Sequence, residues 1–183
     1  MADRLVLASR SPQRRAILEQ LGLEFRVEAP DVEELEEGDP RAMVVANALR
    51  KARSVEGPRV LGVDTTVVLD GRTLGKPADA NEAATFLHRL SGRTHDVWSG
   101  IALIEDGGQR SGHAVTRVHF RLLEHTDIDW YLETGEWRGR AGAYAIQGRG
   151  AALVGSIEGD FWNVVGLPVA ELIRLAPDLV GNR

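Results

Sequence analysis

The hydrophobic and polar positions along the chain follow two different periods, which predicts interleaved strands and helices. Apolar runs typical of strands lie at residues 4–9, the start of 23–35, 60–69, 96–109, 112–123, 151–157 and 161–166. Amphipathic segments typical of helices lie at residues 12–21, 40–55, 80–91, 127–134 and 168–177. The second helix is predicted to bury Met43, Val44 and Leu49. In 112–123, Val118, Phe120 and Leu122 alternate with polar residues, which predicts one buried and one solvated face.

Residues that favour helix starts precede four of the helical segments. They are Ser11, Asp39, Thr126 and Asp79, which forms with Glu82 the pattern of a capping box. Helix ends are predicted at Gly22, Gly92 and Gly135.

Short turns join several of the strands. Asp70-Gly71 is typical of a two-residue hairpin, and Gly107-Gly108 is predicted to join the strands on either side of it. Hairpins beside alternating strands and helices predict a mixed sheet rather than a purely parallel one. The sequence therefore predicts an α/β fold with some α+β character, formed by a single domain over residues 1–183.

Composition narrows the possible functions. The formal net charge of -5 argues against a broad nucleic-acid-binding surface, although it leaves room for a local anion site. The absence of cysteine excludes disulfides, thiolate metal sites and cysteine nucleophiles. No apolar run approaches the ~20 residues of a membrane span, and residues 1–8 do not resemble a signal peptide. The expected location is the cytoplasm, with no membrane partner.

The first strand, turn and helix form a candidate anion site. Free backbone N–H groups at a helix start attract anions, and Ser9, Ser11, Arg14 and Arg15 add hydroxyl and guanidinium donors. In the alternative interpretation Ser11 only caps the helix and the two arginines cover its solvent face.

A carboxylate in an apolar strand is the second candidate. Asp64 is flanked by strand-forming residues, and burying it unpaired would cost several kcal/mol. It therefore needs a metal, a cation or a catalytic environment, or else it caps a loop or pairs with an arginine. The nearby Gly75-Lys76-Pro77 is not a P-loop, because Pro77 replaces the Ser or Thr that binds magnesium.

Two loops carry further candidate groups. The glycine-rich segment 139–150 allows close backbone approach, and the amide of Gln147 can read a nucleobase edge. The acidic loop with Asp31, Glu33 and Glu34 offers oxygen ligands for Mg²⁺, although acidic runs are usually only solvated. The five histidines show no metal-ligand spacing and are expected to face solvent.

Five of these motifs, in order along nearly the whole chain, resemble the Maf family of nucleoside triphosphate pyrophosphatases, relatives of the inosine triphosphatase group. The segments are LASRSPQRRAIL, LGVDTTVVLDG, LGKP, GAYAIQG and NVVGLP. The resemblance implies an extended twisted mixed sheet flanked by helices, two lobes with the site in a cleft between them, and a homodimer.

The resemblance also implies roles for individual residues. Asp64 matches the catalytic aspartate, and Glu34 matches an acidic residue that would share a Mg²⁺ or Mn²⁺ ion with it. Residues matching phosphate-binding positions are Ser9, Ser11, Arg14, Lys51 and Lys76. The implied substrate is a nucleoside triphosphate, cleaved between its α and β phosphates into a monophosphate and pyrophosphate.

Three positions bear on the choice of substrate. The branch that acts on dTTP and UTP carries Arg, Thr and Gln where this chain has Gln13, Thr65 and Gln147, so two of the three positions agree. The 7-methyl-GTP branch carries an aromatic residue, Gln and Glu there, so the sequence favours dTTP and UTP. The alternatives are a 7-methyl-GTP pyrophosphatase and a nucleotide-binding regulator of cell division without turnover. An RNA-binding module ranks below both, because the chain is acidic and poor in aromatic residues.

Overall fold

The computed structural model describes residues 5–105 and 108–181 and confirms the predicted α/β class with a mixed sheet. The strands in this part of the chain are β1 (Leu5–Ala8), β2 (Phe25–Glu28), β3 (Arg59–Leu69), β4 (Arg72–Leu74), β5 (Thr94–Glu105), β6 (Gly108–Phe120) and β7 (Val154–Glu158). The α-helices are α1 (Pro12–Gln20), α2 (Pro40–Arg53), α3 (Ala80–Leu90), α4 (His125–Glu133), α5 (Phe161–Val165), α6 (Val169–Leu175) and α7 (Asp178–Gly181). Two short 3₁₀ helices span Ala141–Ala143 and Arg149–Leu153.

The strands form one sheet in the order β2-β1-β3-β5-β6-β7, and β4 pairs with β3 outside this path. Strand β1 runs parallel to β2 and β3, with Leu5 opposite Phe25 and Arg59. The β3–β4 and β6–β7 pairs are antiparallel. Within the described residues, no helix is long and apolar enough to cross a membrane.

Most of the predicted helix starts and turns are confirmed. The side chains of Ser11, Asp39 and Asp79 each accept a hydrogen bond from a first-turn backbone N–H. The carboxylate of Glu82 accepts from the N–H of Ala78 instead of that of Asp79, so the predicted capping box is only half formed. The β3–β4 hairpin turns at Asp70-Gly71, where both φ angles are positive. Gly107, in the other predicted turn, lies outside the described residues.

Three local predictions are wrong because context outweighs local pattern. Helix α4 begins before Thr126, since Glu124 and Asp127 form a reciprocal capping box that starts two residues earlier than expected. Residues 161–166 begin with the helix Phe161–Val165 rather than forming a strand; Asp160 caps it by accepting from the N–H of Trp162 at 2.8 Å. Leu122 is 78% exposed, because β6 ends before it and the strand alternation stops there.

The chain divides into two compact units. Unit 1 comprises Met1–Thr65, Ser99–Ala114 and Gly166–Arg183, and unit 2 comprises Thr66–Trp98 and Val115–Val165. The core of unit 1 includes small and β-branched residues, among them Val6, Ala8, Ala48, Ala52, Val55, Val60 and Ala102. The core of unit 2 contains aromatic rings, among them Phe120, Tyr131 and Tyr144.

Two glycines in unit 1 let α2 lie directly on the sheet. A Cβ on Gly62 of β3 would lie 2.1 Å from the carbonyl oxygen of Ala48, and a Cβ on Gly100 of β5 would lie 2.1 Å from that of Val44. Both obstacles are helix backbone, which cannot rotate away as a side chain does. Because side chains two apart point to the same face of a strand, Asp64 faces the same helix as Gly62.

We predict that Gly62→Ala lowers the free energy of unfolding by about 3 kcal/mol, because the new methyl group forces α2 away from the sheet. Gly108→Ala is the control, since no atom of the described residues, apart from its chain neighbours, lies within 4 Å of its added Cβ. That change should alter stability by less than about 0.5 kcal/mol. Urea unfolding of both variants provides the measurement, and equal stability of the two would contradict the close helix–sheet contact.

One histidine departs from the expectation that all of them face solvent. His95 is buried in the unit 2 core, in edge-on contact with the rings of Phe120 and Tyr144. Its Nε2 lies 2.8 Å from the Tyr144 hydroxyl oxygen. Burial, with a smaller contribution from His119, lowers the pKa of His95 from 6.5 to about 4. Neutral His95 is therefore a component of the folded core.

Since the folded-state pKa lies below the unfolded value, His95 should stabilise the protein fully above pH 6.5 and lose that effect as the pH falls to about 4. The loss amounts to about 3 kcal/mol if each pH unit contributes ~1.4 kcal/mol. We expect His95→Gln to have a flatter stability profile over this interval, measured by urea unfolding at a series of pH values. Parallel profiles for variant and wild type would contradict this assignment.

Candidate active site

Asp64 lies on β3 and is buried, with 6% of the residue exposed. One of its carboxylate oxygens accepts a hydrogen bond from Lys51 Nζ at 2.7 Å, and the other accepts from Asn47 Nδ2 at 2.9 Å. Both donors come from α2, the helix that Gly62 allows to approach. The strand carboxylate is thus compensated by one charge and one amide dipole from the same helix face.

Lys51 binds a second carboxylate as well. Its Nζ lies 3.0 Å from Glu34 Oε1, while Lys51 itself is 5% exposed. Glu34 belongs to the acidic segment 29–39, which has no regular secondary structure. One ammonium group therefore lies between two carboxylates, and the three groups together carry one negative charge.

Arg14 on α1 is held by three neutral acceptors. Its Nε donates to the carbonyl of Gly166 at 2.8 Å, and its terminal nitrogens donate to Ser9 Oγ at 3.2 Å and Thr65 Oγ1 at 3.1 Å. Burial lowers the pKa of Arg14, and the negative charges of Asp64 and Glu34 oppose that shift. Among the described residues no carboxylate forms an ion pair with Arg14.

The turn before α1 adds two serine hydroxyls to this cluster. Ser9 is buried, and its Oγ accepts from the N–H of Ser11 at 3.1 Å. The hydroxyl of Ser11 accepts from the N–H of Arg14 and donates to Gln13 Oε1 at 3.2 Å. Arg15 instead pairs with Glu19 on the exposed face, so the solvent-facing interpretation holds for Arg15.

Thr65 follows Asp64 and joins the Arg14 group. Its Oγ1 lies 2.8 Å from Ser99 Oγ and 3.4 Å from the carbonyl of Gly166. Gly166 has a φ of 130°, which a residue with a side chain rarely adopts. The backbone conformation that directs the Gly166 carbonyl toward Arg14 therefore favours glycine at this position.

Unit 1 thus contains eight of the predicted site residues: Ser9, Ser11, Gln13, Arg14, Glu34, Lys51, Asp64 and Thr65. Unit 2 contains the other two, Lys76 and Gln147, both exposed. In unit 2 the carbonyl of Gly75 accepts from the N–H of Gly142 at 3.1 Å, which ties the turn before Lys76 to the glycine-rich loop. The roles assigned to these residues stay predictions.

Sequence reasoning missed Asn47, Ser99 and Gly166. Asn47 carried a usable signal, because it is a polar residue in the buried stripe of α2, four positions before Lys51. Ser99 and Gly166 carried none, since their contacts depend on chain segments far apart in sequence.

A divalent cation at the carboxylate pair would need further ligands from water or from substrate phosphates. Among the described residues no group of three or more His, Cys, Asp or Glu side chains is arranged to hold a metal ion. Mg²⁺ commonly binds through one or two carboxylates together with substrate phosphates, and Glu34 and Asp64 supply such a pair. Their oxygens keep free lone pairs beyond the hydrogen bonds to Lys51 and Asn47.

Comparison with known proteins relates the chain to one family. The sequence model of that family, described as Maf-like protein, matches residues 4–179. Proteins named dTTP/UTP pyrophosphatase from Symbiobacterium thermophilum and Moorella thermoacetica are each 48% identical, over 179 and 181 residues. These alignments cover 94% of this chain and 92% and 93% of the two relatives. Among solved structures, the Staphylococcus aureus Ham1 protein aligns over 64% of this chain and 71% of its own, with a TM-score of 0.46 and 12% identity.

The buried charges predict an asymmetric response to mutation. Lys51→Met should destabilise the fold by about 3–5 kcal/mol, because it leaves the Asp64 carboxylate buried without a cation. Asp64→Asn should cost less, since Lys51 keeps Glu34 as its partner. Adding Asp64→Asn to Lys51→Met should recover part of the loss, as urea unfolding of the three proteins can measure. A Lys51→Met variant no less stable than Asp64→Asn would contradict the pairing.

Proposed function

This chain belongs to the Maf family, and on that premise we propose that it is a nucleoside triphosphate pyrophosphatase acting on dTTP and UTP. The names of its relatives support the reaction and both substrates. The observation that carries the proposal is the Arg14 guanidinium, whose hydrogen-bond partners within residues 5–105 and 108–181 are all neutral and which lies in the same unit as the buried Asp64–Lys51 pair. A cation without a counter-ion at a helix start is suited to a phosphate group.

In the proposed reaction a water molecule attacks the α-phosphorus. Asp64 accepts a proton from this water, the bond from phosphorus to the oxygen bridging the α and β phosphates breaks, and pyrophosphate departs with that electron pair. Lys51 and Asn47 keep the carboxylate in one orientation, because each donates to a different oxygen of Asp64. A fixed acceptor of this kind needs little reorganisation during the reaction.

Positive groups stabilise the charge that develops on the leaving pyrophosphate. Arg14 contributes a positive charge, the resemblance assigns the same role to Lys51 and Lys76, and the hydroxyls of Ser9 and Ser11 add neutral polar groups. In this proposal Glu34 and Asp64 hold a Mg²⁺ or Mn²⁺ ion, which neutralises phosphate charge and polarises the P–O bonds when it is bound.

Base selection is assigned to the side chains that match the pyrimidine branch. The amide of Gln147 presents both a donor and an acceptor, the complement of the acceptor and N–H edge of uracil and thymine. A carboxylate in its place would suit a cationic 7-methylguanine better. Thr65 is fixed by Arg14 and Ser99, while Gln13 replaces an arginine and is expected to relax the selection.

We also propose that the protein acts as a cytoplasmic homodimer. The resemblance to Maf proteins supports the dimer, and the cytoplasmic pool of nucleoside triphosphates supports the location. Light scattering on the purified protein tests the mass of the assembly.

The activity test compares wild type with Asp64→Asn in pyrophosphate release from dTTP, UTP, CTP, GTP and 7-methyl-GTP. We expect dTTP and UTP to turn over fastest, only with Mg²⁺ or Mn²⁺ present. Loss of a general base should lower kcat by about 10²–10⁴-fold in Asp64→Asn. Asp70→Asn is the matched control, because Asp70 is exposed in the hairpin turn, where it forms an ion pair with Arg93.

Three outcomes would contradict the proposal in different ways. Faster turnover of 7-methyl-GTP than of dTTP and UTP would contradict the proposed substrates. Full activity in EDTA would contradict the proposed need for a divalent metal ion. Nucleotide binding without any turnover would favour the regulator.

A further inference from the structure

Asn47 uses every hydrogen-bonding group of its side chain and is 1% exposed. Its Oδ1 accepts from the N–H of Leu35 at 2.7 Å, and its Nδ2 donates to the carbonyl of Leu35 at 2.9 Å. The same Nδ2 donates to Asp64 Oδ2 at 2.9 Å. One buried amide therefore binds both backbone groups of a loop residue and the candidate catalytic carboxylate.

The paired bonds to Leu35 fix a segment that lacks regular structure. Residues 29–39 contain no helix or strand, so no ladder of backbone hydrogen bonds defines the position of Leu35. An asparagine amide that pairs with both backbone groups substitutes for such a ladder at one residue. The residue held in this way adjoins Glu34.

Asn47 and Lys51 lie four residues apart on α2 and therefore point from the same helix face. Lys51 binds the carboxylates of Glu34 and Asp64, and Asn47 binds the backbone of Leu35 and the other oxygen of Asp64. The acidic segment and β3 are thus joined twice through one helix. On the loop side Asn47 binds only the backbone of Leu35, so this second link involves no charged loop group.

We propose that Asn47 is a positioning residue for the reaction: it couples the acidic segment to Asp64, so that Glu34 and Asp64 meet at Lys51 in one arrangement. This inference rests on the proposed function, because it assigns the coupling to catalysis. A buried amide that only satisfied the backbone of Leu35 would have no need of the bond to Asp64.

Two substitutions separate the contacts. Asn47→Leu removes all three hydrogen bonds at similar volume in a helix-compatible residue. Asn47→Asp keeps an acceptor for the Leu35 N–H but loses both donated bonds and places a second carboxylate against Asp64. Arg50→Gln is the control, because Arg50 also tethers the segment, donating to the carbonyl of Glu33 at 3.0 Å, and lies on the exposed face of α2.

The experiment combines amide hydrogen exchange at Leu35 with steady-state kinetics on dTTP. In Asn47→Leu, exchange at Leu35 should rise about tenfold, the factor that corresponds to one ordinary hydrogen bond. Its kcat should fall at least tenfold, with KM changed less than threefold. Asn47→Asp should keep the exchange of Leu35 near the wild-type value while its kcat also falls. Arg50→Gln should keep kcat within twofold of wild type.

Two results would overturn the proposal. Faster exchange at Leu35 with unchanged kcat would make Asn47 a loop anchor without a part in the reaction. A uniform rise in exchange across the molecule would assign it to general stability. If wild type itself hydrolyses no nucleotide, the proposed function fails, and unchanged exchange at Leu35 in Asn47→Leu would still reject the tether on its own.

Discussion

The burial of Asp64 against Lys51 is the constraint on which the rest of unit 1 depends. Each residue is at most 6% exposed, and two charges so far removed from water are tolerated only when geometry and hydrogen bonds compensate both. Lys51 reaches the strand because α2 lies against the backbone of Gly62 and Gly100, where any side chain would hold the helix away. The small residues in this core therefore allow the close packing of α2 on the sheet that the buried charge pair requires.

The charge balance of the site follows from that pair. Lys51 is shared between Asp64 and Glu34, so the carboxylates retain an excess negative charge that suits a divalent cation. Arg14 has the opposite imbalance, since a carbonyl and two hydroxyls orient its guanidinium without neutralising it. A nucleoside triphosphate with a bound metal ion supplies both missing charges, which is why the proposed substrate fits this unit better than a neutral ligand would.

The parts of the structure that could be predicted from sequence were those governed by neighbouring residues. Ser11 and Asp39 cap their helices through contacts within one turn, and Asp70-Gly71 adopts the turn that its own backbone preferences favour. Asp64 could also be recognised as a candidate site residue from the sequence. A carboxylate within an apolar strand needs a partner, and this holds whichever segment supplies that partner.

The remaining features depend on contacts between distant segments. His95 is expected at the surface because the histidines show no metal-ligand spacing in the sequence. In the structure it contacts the rings of Phe120 and Tyr144, which lie far from it in sequence. Residues 161–165 have strand-forming side chains and still form a helix once Asp160 caps it. Asn47 was missed because its partners, Leu35 and Asp64, come together only after α2 is packed on the sheet.

The central claim is that water attacks the α-phosphorus in a reaction that depends on Asp64. Hydrolysis of dTTP in ¹⁸O-labelled water, with mass analysis of both products, tests the position of attack most directly. The account predicts one labelled oxygen in the nucleoside monophosphate and none in the pyrophosphate, at a rate that collapses in Asp64→Asn. Label in the pyrophosphate, or an unchanged rate in that variant, would contradict it.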